Sequence, residues 1–192
     1  MTAETVVHGP NPFRRWIKAT TLGWLLGFVL VVILAMLWDL LGGGAQFMVG
    51  IGMGAGVGFM QARVLDNSMG IGRRWMLVTT LGMGIPFLLW DVATRTGLSI
   101  PVSLPLCVLT GSLLVGIPQS LLLRTRLLHT SRWIVASIIG WGLPVGLVAL
   151  SDSGVLSGVG TILSLGAMFL GGVVLGAVTG KALEWMPSRP AL

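Results

Sequence analysis

Little in this chain has the chemistry of a catalyst. It has two histidines, His8 and His129, and one cysteine, Cys107. His8 falls in a polar tail and His129 in a short basic connection, so neither is placed to ligate a metal or heme within an apolar core. Cys107 has no histidine or acid within local reach. No Gly-x-Ser-x-Gly, HExxH or P-loop pattern occurs. The runs GGGAQ from Gly42 and IGMGAGVG from Ile51 resemble phosphate loops in glycine content but lack the lysine. No catalytic residue, cofactor site or metal ligand is assigned, and an enzyme is not expected. What remains is neutral hydrogen-bonding chemistry. Thr20, Thr79 and Ser137 form one set, and Gln61, Gln119 and Thr179 a second. Asp91 and Arg95 are four residues apart, the spacing of a helical ion pair.

These polar residues recur at regular intervals. Arg-Trp or Ser-Arg-Trp starts occur at Trp16, Trp75 and Trp133, about sixty residues apart, each followed seven residues later by glycine. A fixed period of this size marks a repeated supersecondary unit. Hydrophobic residues make up 54% of the chain and charged residues 9%, with 29 glycines and 8 tryptophans. Soluble domains carry roughly 25% charged residues, so this composition calls for a lipid solvent. The expected fold is all-α and integral to a membrane. Six helices, at about 16–38, 44–65, 75–94, 103–123, 133–150 and 159–185, form three tandem, parallel-repeat hairpins. The repeats fall at about 14–72, 73–130 and 131–186. A tail at 1–13 precedes a single domain over 14–192.

Charge placement sets the orientation. Eleven of the twelve basic residues fall at one end of the six spans, and only Arg95 falls at the other. Basic residues are retained in the cytoplasm, which puts both termini there. Asp39, Asp91 and Asp152 mark the outer side. The +6 net charge is split among short connections, which suits anionic lipid heads on the cytoplasmic side and gives no nucleic-acid surface.

Aligning the repeats on their tryptophans produces stripes. Offsets of four, seven, eight and eleven residues give Thr20, Gly23, Trp24 and Gly27, then Thr79, Gly82, Met83 and Pro86, then Ser137, Gly140, Trp141 and Pro144. These offsets trace one helix face. The other helix of each hairpin carries Gly54, Gly58 and Gln61, then Ser112, Gly116 and Gln119, then Gly172, Gly176 and Thr179. Small residues four apart let helix backbones approach in lipid. The glycines are therefore expected at helix contacts. The polar sets are expected to bond within each hairpin, Thr20 to Gln61, Thr79 to Gln119 and Ser137 to Thr179. The functional alternative is a polar ring lining a cytoplasmic vestibule. Trp16, Trp75, Trp133 and Trp185 are expected in an inner aromatic belt, with Trp38 and Trp90 in an outer one. Trp24 and Trp141 lie deeper, packed on glycine stripes or stacked on a pigment or quinone.

The order Arg-Trp, Gly-Trp, Gly-x-x-Gln and a closing basic residue resembles a loose group of small, repeat-containing bacterial membrane proteins without established function. The closing GAVTGKALEWM from Gly176 resembles the C-terminal signature of that group. The resemblance implies a multi-pass protein of the bacterial inner membrane and supplies no activity. The expected function is a non-enzymatic scaffold or accessory subunit that docks other membrane proteins, or further copies of itself, through glycine faces. The alternative is a small channel or transporter with its path between the hairpins.

Overall fold

The structure, a computed structural model, describes residues 12–40, 45–98, 103–154 and 159–190, except for the side chains of 67 and 68. The expected tail up to residue 11, His8 and the glycines at 42–44 lie outside the described residues.

Six helices account for nearly all of the described chain. They are α1 Pro12–Asp39, α2 Phe47–Met69, α3 Gly72–Arg95, α4 Leu104–Leu123, α5 Ser131–Asp152 and α6 Gly160–Glu184. Each is long and apolar enough to cross a membrane. No strand forms among the described residues, where one isolated bridge joins Leu127 and Ser188. Helix ends follow local chemistry. Pro12 opens α1, where its missing N–H costs nothing. Ser103 caps α4 by accepting the Leu106 N–H at 3.4 Å. Gly70 ends α2 in the left-handed conformation at φ 68°, its N–H reaching back to the Asp66 carbonyl.

The principal contacts run α1–α2–α3–α4–α5–α6 and return from α6 to α1, so the helices close into a ring. Glycines set the spacing of every seam. A Cβ at Gly23 would lie 2.8 Å from the Gly56 carbonyl oxygen, and one at Gly27 3.0 Å from the Met53 Cα. Equivalent additions at Gly54 and Gly58 would strike Thr79, and at Gly82 the Val115 backbone. Gly116 faces Ser137, Gly140 faces Leu175, Gly172 faces Thr21 and Trp24, and Gly176 faces Ile17. All nine glycines read from the sequence therefore sit at helix contacts inside the ring.

α2 carries more than the sequence alignment singled out. Gly50, Gly54 and Gly58 face α3, while Gly52 and Gly56 face α1. Two glycine stripes on opposite flanks let α2 wedge between its neighbours, and 61% of its most apolar stretch is buried against 22% for α1.

The core has two layers. Trp16, Leu65, Trp75, Leu123 and Trp133 fill the basic end. Trp24, Met53, Met83, Phe87 and Trp141 fill the middle and the opposite half.

Candidate functional site

The sequence puts Trp16, Trp75 and Trp133 one turn before Thr20, Thr79 and Ser137 on the same helix face. That face points inward. The three indoles are 2%, 0% and 1% exposed and meet edge-to-face, with centroids 5.2–6.3 Å apart. They are a core cluster, not the aromatic belt expected from their depth. Belt statistics describe how far along a helix tryptophan sits, whereas the face is set by the stripe to which it belongs. Trp185, 60% exposed, lies on the surface as a belt residue would.

Each indole N–H reaches an acceptor on a neighbouring helix. Trp75 donates to Gln61 Oε1 at 3.1 Å, Trp133 to Gln119 Oε1 at 2.8 Å, and Trp16 to Thr179 Oγ1 at 2.9 Å. The glutamines then donate onward. Gln61 Nε2 bonds Thr20 Oγ1 at 3.1 Å, and Gln119 Nε2 bonds Thr79 Oγ1 at 2.8 Å. Two of the three expected hairpin bonds are present. The third, Ser137 to Thr179, is not. Ser137 donates to the Ser112 carbonyl at 3.2 Å, and the Thr179 hydroxyl turns to the Leu175 carbonyl at 2.5 Å. Threonine lacks the two extra atoms by which glutamine bridges an indole and a hydroxyl at once.

All six polar residues are at most 3% exposed. They line no vestibule at this level, because the tryptophans occupy the space between them. Buried polar groups need partners, and each of the six has one. Chemically this girdle is a neutral network in which every polar side-chain atom has at least one partner, with no titratable group in it.

Toward the other end the ring holds a cavity of about 350 Å³, bordered by all six helices. Trp24 and Phe28 come from α1, Met53 from α2, Met83 and Phe87 from α3, Val108 from α4, Trp141, Pro144 and Val145 from α5, and Ala167 from α6. The Trp24 and Trp141 rings are 5.5 Å apart. Trp24 fixes its indole by donating to the Met168 carbonyl at 2.7 Å, and it packs on Gly172. Only Thr161 and Ser164 bring side-chain hydroxyls to the lining. Such a wall offers dispersion and aromatic contact. The sequence marked Trp24 and Trp141 as deep residues packed on glycine stripes or stacked on a pigment or quinone, but not a cavity walled by all six helices; the shared offset of Trp24, Met83 and Trp141 from Trp16, Trp75 and Trp133 was its signal.

Asp91 has a different role from the one its spacing suggests. Its carboxylate accepts the backbone N–H groups of Gln46 and Phe47, each at 2.8 Å. The acid of α3 thus caps the start of α2, where the helix dipole favours negative charge. Both carboxylate oxygens of Asp91 are engaged in this cap.

Among the described residues no group of His, Cys, Asp and Glu could hold a metal. Comparison with known proteins finds no matching family model, no matching curated protein and no matching solved structure.

Proposed function

We propose that this chain is a non-enzymatic multi-pass protein of a bacterial inner membrane that shelters one apolar, membrane-soluble molecule inside its helical ring. We further propose that the ring consists of three tandem hairpins related by an axis along the membrane normal, with both termini cytoplasmic. The apolar cavity carries the reading. Its volume lies at the lower end of the roughly 300–1,000 Å³ typical of ligand pockets, and aromatic residues flank it. The glycine faces, by contrast, are occupied by contacts within the ring. An accessory role would therefore rest on the sheltered molecule or on other surfaces.

Support for the hairpin repeat comes from the girdle. Trp75 and Trp133 each bond the glutamine fourteen residues earlier, on the preceding hairpin. Trp16 makes the corresponding bond to Thr179 and closes the circle.

Entry of the ligand is lateral. The α1–α6 seam is fixed by Trp16, Thr20, Thr21 and Trp24, and no α1 residue beyond Gly27 is buried. The outer part of α1 instead keeps to α2, with Trp38 against Phe47 at 5.4 Å. Gly160 at the start of α6 sits beside Ser151 of α5. We infer that lipid reaches the cavity along this less packed outer stretch of α1 and α6.

The test is purification from the native membrane in mild detergent, followed by mass spectrometry of extracted small molecules. An apolar compound should co-purify in near-stoichiometric amount. The variant Val145→Trp, which fills the cavity, should keep the fold and lose the compound. An empty unmodified protein, or equal retention by Val145→Trp, overturns the reading. Flux of ions, water or small amides through vesicles carrying the pure protein would favour the channel instead, whose path would have to pass the three packed tryptophans.

Orientation is tested by single-cysteine labelling. A cysteine at position 129 should resist an impermeant reagent in sealed cells, and one at position 96 should react. The reverse pattern places the basic end outside.

A further inference from the structure

The connection from α4 to α5 is fixed from outside itself. Residues after α6 fold back along it. The Leu128 N–H donates to the Pro187 carbonyl at 2.9 Å, and the Arg189 N–H donates to the Arg126 carbonyl at 2.9 Å. This pairing places Arg189, with Arg124, in the lining of a pocket of about 340 Å³ that also includes His129, Thr130 and Ser131.

The backbone there is unusual. His129 has φ 55°, the only positive value at a non-glycine among the described residues. Thr130 follows in the right-handed region at φ −66°, ψ −11°. Alternation of left- and right-handed residues turns successive N–H groups toward one point, a concavity suited to an anion. None of the N–H groups of His129, Thr130 and Ser131 donates a hydrogen bond among the described residues. Ser131 also begins the 22-residue α5, whose dipole adds positive potential at this end. Backbone outliers of this kind cluster at ligand clamps. Arg124, His129 and Arg189, whose Nε also donates to the Leu127 carbonyl at 3.4 Å, thus line one pocket together with Thr130 and Ser131. Below them its wall is apolar, formed by Leu121 and Ile134, and Leu121 is 59% exposed on the flank of the bundle.

We propose that this pocket binds the phosphate of an anionic phospholipid, with the start of an acyl chain along Leu121 and Ile134. The inference rests on the membrane reading above, with the basic end at the cytoplasmic leaflet. Free phosphate shares the head-group chemistry but makes no use of the apolar wall.

Thermal unfolding of the full-length protein in neutral detergent tests this, with added phosphatidylglycerol, phosphatidylcholine or inorganic phosphate. Phosphatidylglycerol should raise Tm and phosphatidylcholine should not. A basic residue at a lipid surface contributes enough that Arg124→Gln should need about fivefold more phosphatidylglycerol for the same shift, and Arg124→Gln/Arg189→Gln roughly twentyfold more. The Arg124 guanidinium makes no hydrogen bond among the described residues, so the single variant should fold even if loss of Arg189 loosens the C-terminal segment. Arg73→Gln, at the same end but outside the pocket, should respond like the unmodified chain. Equal shifts from both lipids, or an unchanged Arg124→Gln, would overturn the proposal. Protection by inorganic phosphate that equals that of phosphatidylglycerol, and is lost in the arginine variants, would make a soluble anion the ligand and also overturn it. Carbonate extraction separates the two readings. A protein released by carbonate fails the membrane reading, while an integral protein indifferent to phosphatidylglycerol fails only this one.

Discussion

Gly56→Ala should prevent the ring from assembling, while Gly166→Ala should leave it intact. A single methyl group distinguishes the two. At Gly56 that methyl would be driven into the Gly27 backbone nitrogen and would lie 2.5 Å from the Gly23 carbonyl oxygen. Both obstacles are backbone, so no rotamer change relieves them, and α1 would have to move away from α2. Overpacking of this kind costs about 1–3 kcal/mol and occasionally more; contact with two backbone segments puts Gly56→Ala at the upper end. The loss would spread, because Gly23 and Gly27 belong to the same seam. At Gly166 an added methyl meets nothing within 4 Å. There alanine should be neutral or should stabilise the helix by up to about 1 kcal/mol. Size-exclusion profiles and thermal unfolding in one detergent would read both variants. Equal behaviour of the two would mean that close backbone approach does not hold α1 to α2.

Gly56 also shows the limit of the sequence. The sequence alignment found Gly54 and Gly58 because α2, α4 and α6 each carry a small residue at the corresponding positions. It could not find Gly52 and Gly56, since the second glycine stripe belongs to α2 alone. The helix spans were legible because length and hydropathy carry them directly: all six expected segments fall within the observed helices or within a few residues of their ends. The burial of Trp16, Trp75 and Trp133 was written in the same stripe that placed Thr20 and Gly23, yet depth alone suggested an interfacial belt. Asp91 illustrates a different gap. A helix cap supplied by another helix depends on how two ends meet, and no local spacing encodes that. Of the cavity only Trp24, Met83 and Trp141 were legible, through their shared offset; Met53, Phe87, Val108 and Val145 border it only once the ring has closed.

Gln119 should prove the most sensitive polar residue of the girdle. Its amide oxygen accepts from Trp133 and its amide nitrogen donates to Thr79, each at 2.8 Å. An average interhelical hydrogen bond in a membrane contributes only about 0.6 kcal/mol. That figure applies where a lost partner is replaced. In Gln119→Leu the Trp133 N–H, in a side chain 1% exposed, would have no acceptor. Leaving a buried donor unsatisfied costs about 1–3 kcal/mol, and this term outweighs the bond itself. Thr79 suffers less, because its hydroxyl still donates to the Trp75 carbonyl at 2.8 Å. Ser137→Ala is the fitting comparison. It removes one hydroxyl whose only partner among the described residues is the Ser112 carbonyl, so its cost should stay near about 0.5–1.5 kcal/mol. The expected order in reversible unfolding is Gln119→Leu well below Ser137→Ala, with Ser137→Ala close to the unmodified protein. The pair with Trp133 can be isolated by adding Trp133→Phe to Gln119→Leu. Once the orphaned N–H is gone, the second substitution should cost clearly less than it does alone, a coupling of the kind contacting residues show. If the two changes simply add, or if Gln119→Leu is no worse than Ser137→Ala, the indole–amide contacts do not bind neighbouring helices together, and packing of the three tryptophans alone must close the basic end.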